Sequence, residues 1–218
     1  RVGSANVDFS GTPLIGCLPF TATFTDLSTP NGGFAITNRV WDFVYGGLQP
    51  TTNTTISYTY IYGGIWPVKL VVTDANGCKD SLIKNNYVTA SKPVAQFQTP
   101  DTNICVGQTV QMYNYSGGAS FTCMWYWGDG GTSTQLTPTH IYTVPGIYTV
   151  KLVVTDMYGC KDSMTKTAYI KINSPAIGFT MSDTVANCPP LLVNFTNTST
   201  GVSSYAWNFG NGGQSSLA

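Results

Sequence analysis

Residues 68–81 read VKLVVTDANGCKDS and residues 150–163 read VKLVVTDMYGCKDS. Twelve of the fourteen positions are identical across an offset of 82 residues. A period of that length is the size of a small domain, so the chain reads first as a tandem repeat. In the first copy Val68, Leu70 and Val72 alternate with Lys69, Val71 and Thr73; in the second, Val150, Leu152 and Val154 alternate with Lys151, Val153 and Thr155. Period-two alternation rich in β-branched residues marks a strand with one face in a core. Asn76-Gly77 and Tyr158-Gly159 then supply a turn in which glycine takes a positive φ. A cysteine opens the next strand each time. The phrase predicts a β-hairpin that closes a sandwich and carries a cysteine at a fixed place.

Composition agrees with an all-β chain. Only 9% of the 218 residues are charged, and the ten acidic residues are all Asp. The lack of Glu disfavours helices, while Thr, Val, Tyr and glycine turns favour strands. A formal net charge of zero gives no basic footprint for nucleic acid. No apolar run approaches the length of a membrane span. The six cysteines, at 17, 78, 105, 123, 160 and 188, show none of the short-spaced pairs typical of metal sites. Spacing by repeat position suits disulfides formed in an oxidising compartment.

Working outward from the two hairpins, the chain divides into a leader (residues 1–6), two complete units (7–92 and 93–174) and the opening part of a third (175–218). Val7-Asp8-Phe9, Val94-Ala95-Gln96-Phe97 and Ile177-Gly178-Phe179 open the units. Trp41 with Phe43, Trp125 with Trp127, and Trp207 with Phe209 recur at similar intervals, so Trp41, Trp125 and Trp207 are assigned to sandwich cores. Pro93 and Pro175 mark boundaries with almost no slack, which predicts a semi-rigid array. The third unit has its opening strands and no copy of the hairpin. Half a sheet cannot bury a core alone, so the chain is expected to continue beyond residue 218, with strand addition from another chain as the alternative.

The motif Trp125-Tyr126-Trp127-Gly128-Asp129-Gly130, then Pro138-Thr139-His140-Ile141-Tyr142, then Gly146 through Asp156, resembles the PKD (polycystic kidney disease) repeat. Unit one departs from the pattern, with Val44-Tyr45 for Gly-Asp and Tyr58 for the histidine; unit three has Asn211 for the Asp. The added cysteines and the GCKDS phrase are similar to PKD-like repeats of large secreted surface proteins of Bacteroidetes, among them gliding adhesins and type IX secretion cargo. The resemblance implies tandem immunoglobulin-like β-sandwiches without catalytic activity. It implies a stalk or spacer in a long extracellular cell-surface adhesin or filament. Its partners would be neighbouring repeats, other filament or surface proteins, or extracellular polysaccharide. The alternative is a carbohydrate-binding or spacer module attached to a secreted polysaccharide-degrading enzyme.

Individual residues refine this picture. Cys17 with Cys78, and Cys105 with Cys160, are the expected disulfides, each closing a loop of roughly 60 residues and contributing about 4 kcal/mol on chain-entropy grounds. Cys188 takes the first position of that pair in unit three, its counterpart lying beyond residue 218. Cys123 has no counterpart, and its place on the face of Trp125 and Trp127 predicts a buried, inert thiol. Tyr45, Tyr60, Tyr113, Tyr115 and Tyr126 are candidates for an exposed sugar-stacking platform. His140 is the sole histidine, which leaves no basis for a catalytic triad, and the absence of Glu leaves only Asp pairs for a glycosidase. No cofactor is expected. Ca²⁺ is the one ion that Asp42, Asp74, Asp129 and Asp156 suggest, against the simpler role of capping turns. Ser81, Ser163 and Thr184 follow Asp in a short pattern resembling the O-glycosylation site of exported Bacteroidetes proteins. Asn53, Asn114, Asn194 and Asn197 lie in N-x-S/T sequons.

Overall fold

The structure is a computed structural model that describes residues 5–32, 34–44, 46–182, 185 and 190–217. It is all-β, a tandem of immunoglobulin-like sandwiches. Among the described residues unit one has eight strands: β1 (Phe9–Thr12), β2 (Ile15–Cys17), β3 (Phe20–Asp26), β4 (Ile36–Asp42), β5 (Leu48–Thr51), β6 (Thr55–Tyr60), β7 (Gly64–Asp74) and β8 (Lys79–Ser91). They form a three-stranded sheet, β1-β3-β6, facing a five-stranded sheet, β2-β8-β7-β4-β5. Strand β2 runs parallel to β8; the other pairs are antiparallel.

Unit two repeats the plan with β9 (Phe97–Gln98), β10 (Asn103–Cys105), β11 (Thr109–Gln111), β12 (Tyr113–Asn114), β13 (Phe121–Tyr126), β14 (Thr132–Ser133), β15 (Thr139–Ile141), β16 (Gly146–Asp156) and β17 (Lys161–Asn173). Its large sheet is β10-β17-β16-β13-β14, with β10 parallel to β17. Unit three contributes β18 (Phe179–Met181), β19 (Phe195–Asn197), β20 (Trp207–Asn208) and β21 (Gln214–Ser215).

The alternation read in the repeated phrase is the alternation of burial. Val68, Leu70, Val150, Leu152 and Val154 are 0% exposed, and Val72 is 1% exposed. They pack on Trp41 and Phe43 in one unit and on Trp125 and Trp127 in the other. The aromatic geometry repeats as well. Phe9 meets Trp41 edge-on at 5.3 Å, Phe97 meets Trp125 at 5.2 Å, and Phe179 meets Trp207 at 5.5 Å. The leader reading needs adjusting at its end. Ala5 is buried in unit one's core, and Asn6 bridges Thr29 as Val94 bridges Gly117 and Ala176 bridges Thr200.

The expected disulfides are not formed. The bond is Cys17–Cys160, which joins unit one to unit two; Cys78 and Cys105 are free and exposed. Strand length is the reason. Cys17 stands beside Ser91 at the end of β8, whereas Cys78 immediately precedes Lys79 at its start. Thirteen extended residues put the two about 40 Å apart, far beyond disulfide reach. Cys105 beside Asn173 and Cys160 before Lys161 are separated in the same way by β17. The two cysteines of a unit therefore lie at opposite ends of its sandwich. Cys188 and Thr184 fall outside the described residues.

Candidate functional site: the joint between units

The joint is built from the end of one hairpin and the turn of the next. Strand β8 ends at Ser91, Lys92-Pro93 crosses to unit two, and the β16–β17 turn packs back over the crossing. Asp156 organises that turn. Its backbone N–H donates to the Cys160 carbonyl at 2.9 Å, and its Oδ1 accepts the N–H groups of Tyr158 and Cys160, each at 2.9 Å. Gly159 supplies the positive φ, +83°, that closes the turn. The other oxygen, Oδ2, accepts the Ser91 hydroxyl of unit one at 2.5 Å. Burial pushes the Asp156 carboxyl up, but Ser91 and the turn N–H groups outweigh it and hold the carboxyl below its ordinary range.

The Cys17–Cys160 disulfide lies beside this hydrogen bond, with Cα atoms 5.3 Å apart and Cys160 only 2% exposed. Within unit two, Asp162 Oδ2 accepts the Ala95 N–H of the entering segment at 2.8 Å. Gly63, Gly64, Ile65 and Lys92 then line a shallow cleft against Ala119 and Tyr158. The GCKDS phrase of unit two is thus both a hairpin turn and the part of that unit that clamps unit one.

The W-G-D-G and H-x-Y residues form a separate cluster with a structural role. The His140 ring stacks on Trp127 at 4.5 Å, and its Nε2 contacts Asp129 Oδ2 at 2.6 Å. Asp129 Oδ1 accepts the Gly131 N–H, and the Tyr142 hydroxyl donates to the Trp127 carbonyl. Gly128, at φ +87°, has no room for a side chain, because a Cβ would lie 2.6 Å from the Thr149 carbonyl oxygen. Burial pushes Asp129 up, while His140 and the Gly131 N–H pull it further down, so it too sits below the usual carboxylate range. In unit one Tyr58 replaces the histidine and stacks on Phe43 at 4.4 Å, which preserves the ring packing without a histidine–aspartate contact.

Trp41 and Trp125 are core residues, each 0% exposed. Trp207 keeps the same neighbours but is only half-buried. Cys123 is 7% exposed and unpaired, and burial raises its thiol pKa although Trp125 opposes the shift. Its register position explains why it has no cysteine counterpart. Cys123 opposes Val154 as Arg39 opposes Val72, and Asn114 opposes Phe97 as Asp26 opposes Phe9. Unit one fills the two sites with a buried ion pair, Arg39 Nε to Asp26 Oδ2 at 2.5 Å. Unit two fills them with Cys123 and Asn114, whose Nδ2 is buried without a hydrogen-bond acceptor. Sequence reasoning missed this pair because its members are thirteen residues apart and only the strand register aligns them with unit two.

The platform tyrosines do not converge. Tyr60 is a core residue at 4% exposure, because its alternation in β6 points it inward against Phe20. Tyr113 and Tyr126 are exposed but lie on opposite sheets, and Tyr115 follows β12; Tyr45 falls outside the described residues. Asp42, Asp74, Asp129 and Asp156 each cap their own turn, and among the described residues no three potential metal ligands come together. Ser81 and Ser163 are both exposed, at equivalent places after the turn.

Residues 90–172 match the family model of the PKD domain. Over 83 residues, 38% of this chain and 9% of the relative, the chain is 36% identical to the pre-pro-metalloprotease PrtV of Vibrio cholerae. Over 50 residues, 23% of this chain and 5% of the relative, it is 46% identical to the collagenase ColA of Bacillus cereus. Among solved structures it resembles the PKD1 domain of the Vibrio cholerae metalloprotease PrtV at 35% identity, covering 38% of this chain and 98% of that domain, with a TM-score of 0.33. The chain thus spans a tenth or less of the length of these curated relatives.

Proposed function

We propose, for a chain whose residues 90–172 are a PKD domain, that this segment is a non-catalytic accessory module of an extracellular protein, acting as a stapled spacer. The observation that carries the reading is the joint. Two ties, Cys17–Cys160 and Ser91–Asp156, brace a two-residue linker, and a bridge of this kind fits an oxidising compartment. The sequence likeness to parts of a pre-pro-metalloprotease and a collagenase supports an accessory role beside a catalytic domain. A spacer is favoured over a sugar-binding module because the exposed tyrosines are divided between two sheets.

A stalk within a cell-surface adhesin is the second reading. It is favoured by the recurrence of the hairpin after 82 residues, which allows the same joint to be used serially. Exposed Ser81 and Ser163 fit O-glycan attachment along such a stalk; intact-mass analysis of the native secreted protein should show at least one glycan, and bare peptides would remove that part of the reading. The spacer is tested by non-reducing peptide mapping and small-angle scattering. We expect a Cys17–Cys160 cross-linked peptide and a narrow distribution of maximum dimension that broadens in C17S and C160S alike. A distribution unchanged by either substitution would overturn the staple.

A further inference from the structure

Units one and two finish the same sheet edge differently. In unit one β5 covers β4 over four residues, with Pro50 opposite Val40 and Thr51 opposite Arg39. In unit two β14 covers only Trp125 and Tyr126 of β13, opposite Ser133 and Thr132. By register, Thr134 and Gln135 stand where Pro50 and Thr51 do. They leave the ladder because their carbonyls turn to buried donors. Trp125 Nε1 donates to the Gln135 carbonyl at 2.9 Å, and Cys123 Sγ donates to the carbonyls of Thr134 and Gln135 at 3.5 and 3.3 Å. Unit one keeps its strand in the ladder, and there Trp41 Nε1 is buried without an acceptor. A buried indole N–H without a partner is costly, so satisfying it offsets the ladder bonds given up.

The exchange opens the edge of β13. The Trp127 N–H donates to the Gly131 carbonyl, on the β14 side. Main-chain groups of alternate strand residues point the same way, so those of Cys123 and Phe121 point to that side too. Among the described residues neither has a main-chain partner there. Thr122 and Met124 point the other way, to Thr155 and Val153 of β16. Beside the edge runs a groove of about 710 Å³ whose lining includes Met124, Tyr126, Leu136 and Val153. Met124, Tyr126 and Leu136 are 37%, 45% and 56% exposed. Lys161 is the one charged side chain among the described residues that line it.

We propose that the β13 edge at Phe121–Cys123, with this groove, takes an extended peptide segment of a partner protein, added antiparallel as a short strand. A polypeptide main chain supplies donors and acceptors at the spacing of Cys123 and Phe121, and β5 on β4 is the same seat occupied. Unit one also gives the register. The partner residue opposite Met124, in the place of Pro50, lies on the outer face and sets an apolar side chain against Met124 and Val153. Its neighbour opposite Cys123, in the place of Thr51, faces the 134–136 segment and is small. Lys161 favours a partner that carries a carboxylate. The site is independent of the joint, so the Cys17–Cys160 bond stands or falls separately.

The probe is a capped synthetic peptide of sequence TVTVTE, added to the isotopically labelled full chain. Amide exchange at Phe121 and Cys123 should slow on addition, while Thr122 and Met124, already facing β16, serve as the internal reference. In the proposed register the threonine amides face β13 and the valine amides face away. N-methylation of the threonines should therefore weaken binding by at least about tenfold, and N-methylation of the valines should leave it unchanged. Met124→Ser should also weaken it, with the denaturation midpoint of unit two retained. Unaltered exchange at Phe121 and Cys123 in about 1 mM peptide would overturn the site. Equal binding by the two methylated peptides would overturn strand addition, leaving side-chain contact alone. Equal affinity for a peptide ending in lysine would remove the role given to Lys161. Protection that rises with chain concentration before any peptide is added would assign the edge to a second copy and overturn the separate partner.

Discussion

Asp156 joins two tasks at one carboxylate, the turn through Oδ1 and the joint through Oδ2. Losing it removes several hydrogen bonds to a charged group, so Asp156→Ala should cost unit two about 2–3 kcal/mol in chemical denaturation. Ser91→Ala should cost about 1 kcal/mol and act on the joint alone. Because the folded-state pKa values of Asp156 and Asp129 are depressed, their contribution is present above the unfolded carboxylate value and is lost as pH falls through the folded one. Stability of unit two measured against pH should hold down to about pH 4 and decline below it, with the decline flattened in the D129N/D156N double variant. The Arg39–Asp26 pair gives a sharper residue-scale test. Cys123→Arg alone leaves a buried cation unpaired and should cost about 3–5 kcal/mol, much of it recovered when Asn114→Asp is added. Additive losses would show that the two registers are not equivalent.

At the scale of elements, the hairpin was legible and its connections were not. Val68, Leu70 and Val72 announce a strand because alternation is a local property, and Gly77 and Gly159 announce the turn for the same reason. Which cysteine meets which depends on strand length and on how units follow one another. Equal repeat position made Cys17 and Cys78 look like partners; the thirteen residues of β8 set them at opposite ends. Tyr60 was misjudged similarly, since period two says that one face is inward but not which. The two hairpins also share a bulge, with a register shift at Trp66/Val68 and Tyr148/Val150 and positive φ at Asn86 and Ala168, both 52°. Asn tolerates that conformation and Ala does not, so Ala168→Gly should raise the thermal midpoint of unit two, a gain of up to about 1 kcal/mol.

For the molecule as a whole, the Cys17–Cys160 bond encloses most of both complete sandwiches in one covalent loop. Force applied at the chain ends bypasses the stretch between these cysteines, whose sequence separation is 143. Single-molecule pulling should therefore give a contour gain about 500 Å shorter for the oxidised than for the reduced chain. Equal gains would mean that the bridge is not formed in the folded array. The whole-chain fold, tandem and all-β, followed from the repeat and the composition. The manner in which units grip one another did not, because no residue within a single unit carries that information.

The position of the bridge also changes what a cut in the chain means. In most tandem proteins a cut in the crossing between two units yields two independent fragments. Here Cys17 lies on one side of it and Cys160 on the other. A chain nicked between Ser91 and Val94 remains one covalent particle, still clamped at Ser91 and Asp156, and comes apart only where the surroundings turn reducing.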